Sequence, residues 1–208
     1  PPTAVLPSGT DLPQITPNTC KTVDVAYAGK IEARKGIDLL VEAMVHLPGC
    51  RLAIAGGPKP EIPELRRRIH TSNLSSRIEV IGVIPAQAVS DFLCSARVGV
   101  CPLPQGYDAV SDRFTSPMKL LQMLSLGMAV VATDTAPVRA IARHGHDAWL
   151  VAPNDPKALA EGIQTLLNDP SLASRLGREA KRTAVRYSWS SRAENLERFI
   201  YSLSESVG

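Results

Sequence analysis

The stretch from Ser116 through Gly127 to Thr133 restricts what this chain can become more than any other. Ser116 stands where an N-cap is wanted, Pro117 at a first helical position, and Gly127 where a helix stops. The apolar run Met128 to Thr133 follows at once and reads as a buried strand. A helix that feeds directly into such a strand is one unit of a parallel sheet, since parallel neighbours need a crossover between them. The start of that helix faces the loop Pro102 to Thr115, and the free N–H groups and positive dipole end of a helix start favour phosphate.

The rest of the chain repeats the unit. Asp24 to Gly29, Arg51 to Ala55, Arg77 to Ile81 and Val98 to Cys101 read as earlier strands, and Ala148 to Val151 as a later one. Between them, Gly36 to His46 places Ile37, Leu40, Val41, Met44 and Val45 on one helical stripe. Glu61 to Ser72, Pro85 to Ser95 and Pro137 to Arg143 read as further helices. The expectation is α/β: a doubly wound, mainly parallel six-stranded sheet. Asp155-Pro156 opens a helix through Leu167, and Ser171 to Val185 and Ser190 to Leu203 add extra C-terminal helices. Residues 1–22, with five of the seventeen prolines and no period, read as a linker. The domain then spans 23–187, and 188–208 is a helix packing on it or crossing from it.

At 208 residues, with 44% hydrophobic and 21% charged residues and a net charge of +3, the chain can build a sizeable core. Its cations are scattered and its aromatics few, which fits a local anion pocket and speaks against a nucleic-acid surface. Cys20, Cys50, Cys94 and Cys101 follow no regular spacing, and reduced thiols of a cytosolic protein are expected. No apolar run approaches the roughly 18 residues needed to span a bilayer. The opening Pro-Pro is read as the start of a fragment or processed form.

Ligands of open parallel sheets bind beyond the carboxyl ends of the strands, so those loops are the places to search. Gly29-Lys30-Ile31-Glu32-Ala33-Arg34-Lys35-Gly36 offers Lys30 and Lys35 to one anion, and reads equally as a solvated loop. Gly56-Gly57-Pro58 allows close approach to a ligand or makes an ordinary turn. Val83 and Ile84 could face a flat base, although a tight turn into the next helix is the simpler reading. The Pro102 to Thr115 loop, with Asp108, Asp112 and Arg113, is long for its place. Gln122, among Leu120, Leu121 and Leu124, needs a polar partner or a ligand hydroxyl. His144-Gly145-His146-Asp147 reads as a turn. The histidines, cysteines and carboxylates do not pair at metal-ligand spacing, and no P-loop, dinucleotide fingerprint or nucleophile elbow occurs.

Together these loops resemble the C-terminal, donor-nucleotide-binding domain of GT-B retaining glycosyltransferases of family 4 (glycosyl transferases group 1). Thr3 to Asp11 is similar to the family's interdomain segment, and Gly29-Lys30 with Lys35-Gly36 to its Gly-Arg and Lys-Gly pair. Leu52 to Gly57, Val80 to Ile84, Gly127 to Thr133 and Tyr187-Ser188-Trp189 match further positions in order. Two family glutamates fall at Phe114 and Gln122. A branch with Ser-Pro-x-Lys-Leu, as in Ser116 to Leu120, commonly lacks the first. Lys30 replaces an arginine and loses its bidentate fork.

The resemblance implies transfer of a hexose from a nucleotide diphosphate sugar to a glycan or lipid-linked acceptor with retention. Lys30 and Lys35 would hold the diphosphate with backbone N–H groups at Ser116, Pro117 and Met118. Gly57, Val83 and Ile84 would take the base and Gln122 the ribose, with Asp112, Arg113, Phe114 and Thr115 on the sugar side. No metal or other cofactor and no nucleic acid is implied. The acceptor side and its catalytic residues would belong to an N-terminal GT-B domain absent from this chain, so that the fragment alone binds donor weakly. A cytoplasmic protein, peripheral at the inner face of a membrane, is expected. A non-catalytic sugar-nucleotide-binding or regulatory module is the alternative, and an epimerase of the same architecture a third.

Overall fold

The computed structural model describes residues 3–13 and 21–205. Strands β1 (Val23–Ala28), β2 (Leu52–Ala55), β3 (Ile78–Gly82), β4 (Ala96–Cys101), β5 (Ala129–Thr133) and β6 (Trp149–Val151) form one sheet in the order β3-β2-β1-β4-β5-β6. Every pairing is parallel. Every residue of β2 and β5 is buried, as helices on both faces require. The helices are α1 (Ile37–Ala43), α2 (Glu61–Thr71), α3 (Val89–Cys94), α4 (Ala109–Phe114), α5 (Met118–Ser125), α6 (Ala136–Arg139), α7 (Pro156–Asn168), α8 (Pro170–Val185) and α9 (Trp189–Glu205).

Successive strand residues divide between two cores, as the two-residue period dictates. Val25 and Tyr27 join Leu40 of α1, Leu65 of α2 and Ile163 of α7 on one face. Ala26 joins Leu93 of α3, Leu120 and Leu124 of α5 and Ala180 of α8 on the other. The doubly wound expectation therefore holds. Two helices begin as sequence chemistry dictates: the Asp155 and Asp169 carboxylates accept from the N–H groups of Ala158 and Leu172 at 2.9 Å, each followed by proline. Such caps contribute about 1 kcal/mol apiece.

Three expectations need correction. The central helix starts at Met118, not Pro117, and Ser116 does not cap it; the Ser116 carbonyl accepts the Met118 N–H, and its hydroxyl donates to that of Ser8. The long loop after β4 contains α4, six residues and too short for a periodic signal. The helix expected through Arg143 ends at Arg139, because the fully buried Asp147 carboxylate accepts the Arg143 N–H and turns the chain. Residues 3–13 lie against the start of α9: Thr10 bridges to Ser188, and Arg192 donates to the carbonyls of Leu6 and Pro7. The rest of the expected linker, 14–20 with Cys20, lies outside the described residues. Cys50, Cys94 and Cys101 are free and buried. Among the described residues no helix is long and apolar enough to cross a membrane.

Helix α5 is held from behind by α8, where Gly177 lets the Gly127 carbonyl approach so closely that a Cβ would overlap it. Alanine is the better helix former by about 1 kcal/mol, but it would meet backbone that cannot rotate away. Gly177→Ala should therefore lower unfolding stability by roughly 2 kcal/mol in urea. A variant as stable as the parent would show that the two helices are not locked together.

Candidate functional site

The strand order reverses between β1 and β4, and an open sheet leaves a crevice at such a point. The loops leaving the strands there pack backbone on backbone. Gly29 N–H donates to Ala55 O at 3.0 Å, Ile31 N–H to Gly57 O at 2.6 Å and Gly56 N–H to Gly82 O at 2.7 Å. Gly56, at φ +143°, lies on the Gly29 carbonyl with no room for a Cβ, and Gly36, at φ +78°, lies likewise on the Pro102 carbonyl. Above this platform is a cleft of about 540 Å³. Its size suits a nucleotide-sized ligand.

Of the residues singled out from sequence, Lys30, Gly57, Val83, Ile84, Met118 and Gln122 line this one cleft. Val83 is 57% exposed, and a Cβ on Gly57 would stand 2.8 Å from it, so the two make one apolar wall with an open edge. Gln122 stands opposite on α5, and its side-chain amide has no hydrogen-bond partner among the described residues.

Lys119, which the sequence reading passed over, is the site's central cation. Its half-buried ammonium donates to the Tyr27 hydroxyl at 2.8 Å and to the Lys35 carbonyl at 3.5 Å, and lies 4.0 Å from the Tyr27 ring centre. Tyr27 in turn donates to the Lys30 carbonyl at 2.6 Å. Burial raises the Tyr27 pKa, so its proton stays in place as part of the support. All of these partners are neutral, and no carboxylate among the described residues pairs with Lys119. Burial, with the nearby Lys35 adding to it, pulls the Lys119 pKa down to about 8. A cation in the first turn of a helix also opposes the dipole. That opposition, and the placing of Lys119 three residues before Gln122, was the available signal in the sequence.

Lys35 does not line the cleft; its charge reaches the site through Lys119. Glu32, also passed over, does line it, with one carboxylate oxygen accepting from Arg34 Nε at 2.7 Å and the other 3.7 Å from Lys30 Nζ. Ser116 and Pro117 lie outside the cleft, Pro117 has no N–H, and that of Met118 is engaged by Ser116.

Asp112 and Thr115 line a second, much smaller cavity with Arg34, Leu103 and Thr135. One Asp112 oxygen accepts the Gly106 N–H at 2.9 Å. Its other oxygen and the Thr135 hydroxyl are buried without a partner among the described residues. Arg113 is exposed on α4, and Phe114 closes that helix with its side chain outside the described set. His144 accepts the Leu150 N–H through Nδ1 and lies far along the chain from the cleft residues, in the turn expected for it.

A family model for glycosyl transferases group 1 matches residues 22–169. Among curated proteins, an exopolysaccharide phosphotransferase of Streptomyces coelicolor is 33% identical over 153 residues, covering 73% of this chain and 15% of that protein. The alpha-D-kanosaminyltransferase of Streptomyces kanamyceticus is 26% identical, covering 83% of this chain and 44% of that protein. The D-inositol 3-phosphate glycosyltransferase of Xylanimonas cellulosilytica is 27% identical, covering 89% and 48%. The chain thus spans about half the length of these two and far less of the first. Among solved structures, sucrose-phosphate synthase from Thermosynechococcus elongatus superposes with a TM-score of 0.79 at 25% identity, covering 97% of this chain and 52% of that one. Anabaena HepE in complex with UDP superposes at 0.72 with 18% identity, covering 88% and 49%, a likeness of fold alone. The chain belongs to the glycosyl transferases group 1 family and carries the Rossmann-like α/β fold of GT-B glycosyltransferases.

Proposed function

We propose that this chain is the donor-binding half of an enzyme that transfers a hexose from a nucleoside diphosphate sugar to a glycan or lipid-linked acceptor with retention of configuration. The observation that carries the reading is the half-buried Lys119 ammonium, which faces the cleft with neutral partners only. A desolvated cation is costly unless something compensates it, and a diphosphate supplies what the fold withholds. Lys30 adds a second cation and Lys35 a more distant third. Fixed positive charge matters most where negative charge develops, on the oxygen that leaves with the diphosphate. The base lies against Val83 and Ile84 with Gly57 allowing close approach, and Gln122 accepts or donates one bond to the ribose. The hexose extends toward Asp112 and Thr115, where Asp112 Oδ1 and the Thr135 hydroxyl are buried with no partner among the described residues.

The reading draws support from relatives named as glycosyltransferases and from neighbours solved with UDP and UDP-glucose. The acceptor and the remaining catalytic groups belong to an N-terminal domain that closes the cleft, and the acceptor is met at the inner face of a membrane. A non-catalytic module is not favoured, because the cleft keeps its cations, its apolar wall and an unpartnered Gln122 amide.

Calorimetric titration of the chain with UDP and GDP should show selective binding of one of them, weakened at least about tenfold in Lys119→Ala, on the scale of one lost charge-assisted contact. Equal binding by parent and variant would sink the reading. Because only the protonated ammonium attracts the anion, affinity should fall as pH rises through about 8. A pH-independent constant between pH 7 and 9 would contradict this.

The same charge opposes folding. The folded pKa lies below the unfolded 10.5, so the unfolded chain binds more protons between pH 8 and 10.5, and stability rises with pH across that window. Lys119→Met should remove this rise, lose nucleotide binding and gain about 1 kcal/mol of stability at pH 7. A destabilised variant would show that the ammonium supports the fold.

A further inference from the structure

We propose that Glu32, anchored by Arg34, is a built-in counter-ion that competes with the donor's diphosphate for Lys30, and so sets how tightly the site holds a nucleoside diphosphate. This deepens the donor-binding reading and rests on it. Among the described residues that line the large cleft, Glu32 is the sole acid. Its carboxylate stands between the two cations, 2.7 Å from Arg34 Nε and 3.7 Å from Lys30 Nζ. The three side chains differ in exposure: 24% for Glu32 against 64% and 44% for Lys30 and Arg34. The carboxylate is therefore turned into the protein while its partners remain open to solvent.

The backbone fixes it there. Ile31 before it is buried and donates to Gly57 O, and the Glu32 carbonyl accepts the Lys35 N–H at 2.8 Å. Of the two cations that line the cleft, a carboxylate so placed partly neutralises Lys30 and leaves Lys119 without an anionic partner among the described residues. An arriving diphosphate must either displace Glu32 from Lys30 or bind beside a like charge. Both weaken binding, and both speed departure of the nucleoside diphosphate product once the sugar has gone. The arrangement trades ground-state affinity for turnover, since tight holding of the product adds nothing to the chemical step.

The test is calorimetric titration of the 208-residue chain, its Glu32→Gln variant and its Glu32→Ala variant with UDP, GDP, uridine and guanosine, with melting temperatures recorded for each. Both variants should bind the preferred diphosphate about fivefold to tenfold tighter, as expected for removing one like charge a few ångströms away in a partly solvated site. Affinity for the uncharged nucleoside should not change, and melting temperatures should hold, since exposed ion pairs contribute little to stability. Unchanged or weaker diphosphate binding in folded variants overturns the proposal, as does an equal gain for the nucleoside. If the parent and both variants take up neither diphosphate, the donor-binding reading falls together with the proposal. If the parent binds and the variants do not tighten, only the counter-ion role falls.

Discussion

Three strands can open onto one cleft only if the loops that leave them pack backbone against backbone. Gly56 lies on the Gly29 carbonyl and Gly36 on the Pro102 carbonyl, with no space for a side chain at either contact. These contacts draw the loops after β1, β2 and β4 into a single platform, and hydrogen bonds carry the ladder past the ends of the strands. The rest of the site depends on that closeness. It brings the start of α5 over the end of β1, so that Lys119 reaches Tyr27, and it sets the Lys35 carbonyl beneath the same ammonium.

The electrostatics of the cleft follow from where the platform puts charge. Lys119 is held by neutral groups, and its proton is loosened by burial. Lys30 and Arg34 share one inward carboxylate. On the proposed reading, stability and binding pull in opposite directions at Lys119.

Much of the fold was legible in the sequence because it rests on local rules. Apolar runs located the strands, and the Asp155-Pro156 pair located α7, while the Asp169-Pro170 pair that opens α8 went unused. The start of the central helix was misread because Ser116 has the right chemistry for a cap but spends its hydroxyl on Ser8, a contact set by a segment far away in sequence. For the same reason residues 3–13, proline-rich and aperiodic, gave no sign that they would dock on α9. Gly57, Val83 and Ile84 were singled out because loops after parallel strands are the place to search, and Gln122 because a polar residue among leucines needs a partner; all four line the one cleft. Lys119 and Glu32 were passed over because their importance is tertiary: a lysine among leucines becomes a desolvated cation only when Tyr27 is beneath it, and a glutamate among cations becomes a counter-ion only when its side chain turns inward.

The account turns on whether the Lys119 ammonium is held without an anion until a nucleoside diphosphate arrives. Lysine labelled with ¹³C at Cε, with the Lys119 signal assigned by its loss in Lys119→Met, reports that proton directly by NMR titration. The account predicts a pKa of about 8 in the free chain, rising to the ordinary lysine range or above once the cleft is saturated with the preferred diphosphate. A Lys119 pKa that is already ordinary in the free chain, or that does not move on saturation, would contradict it.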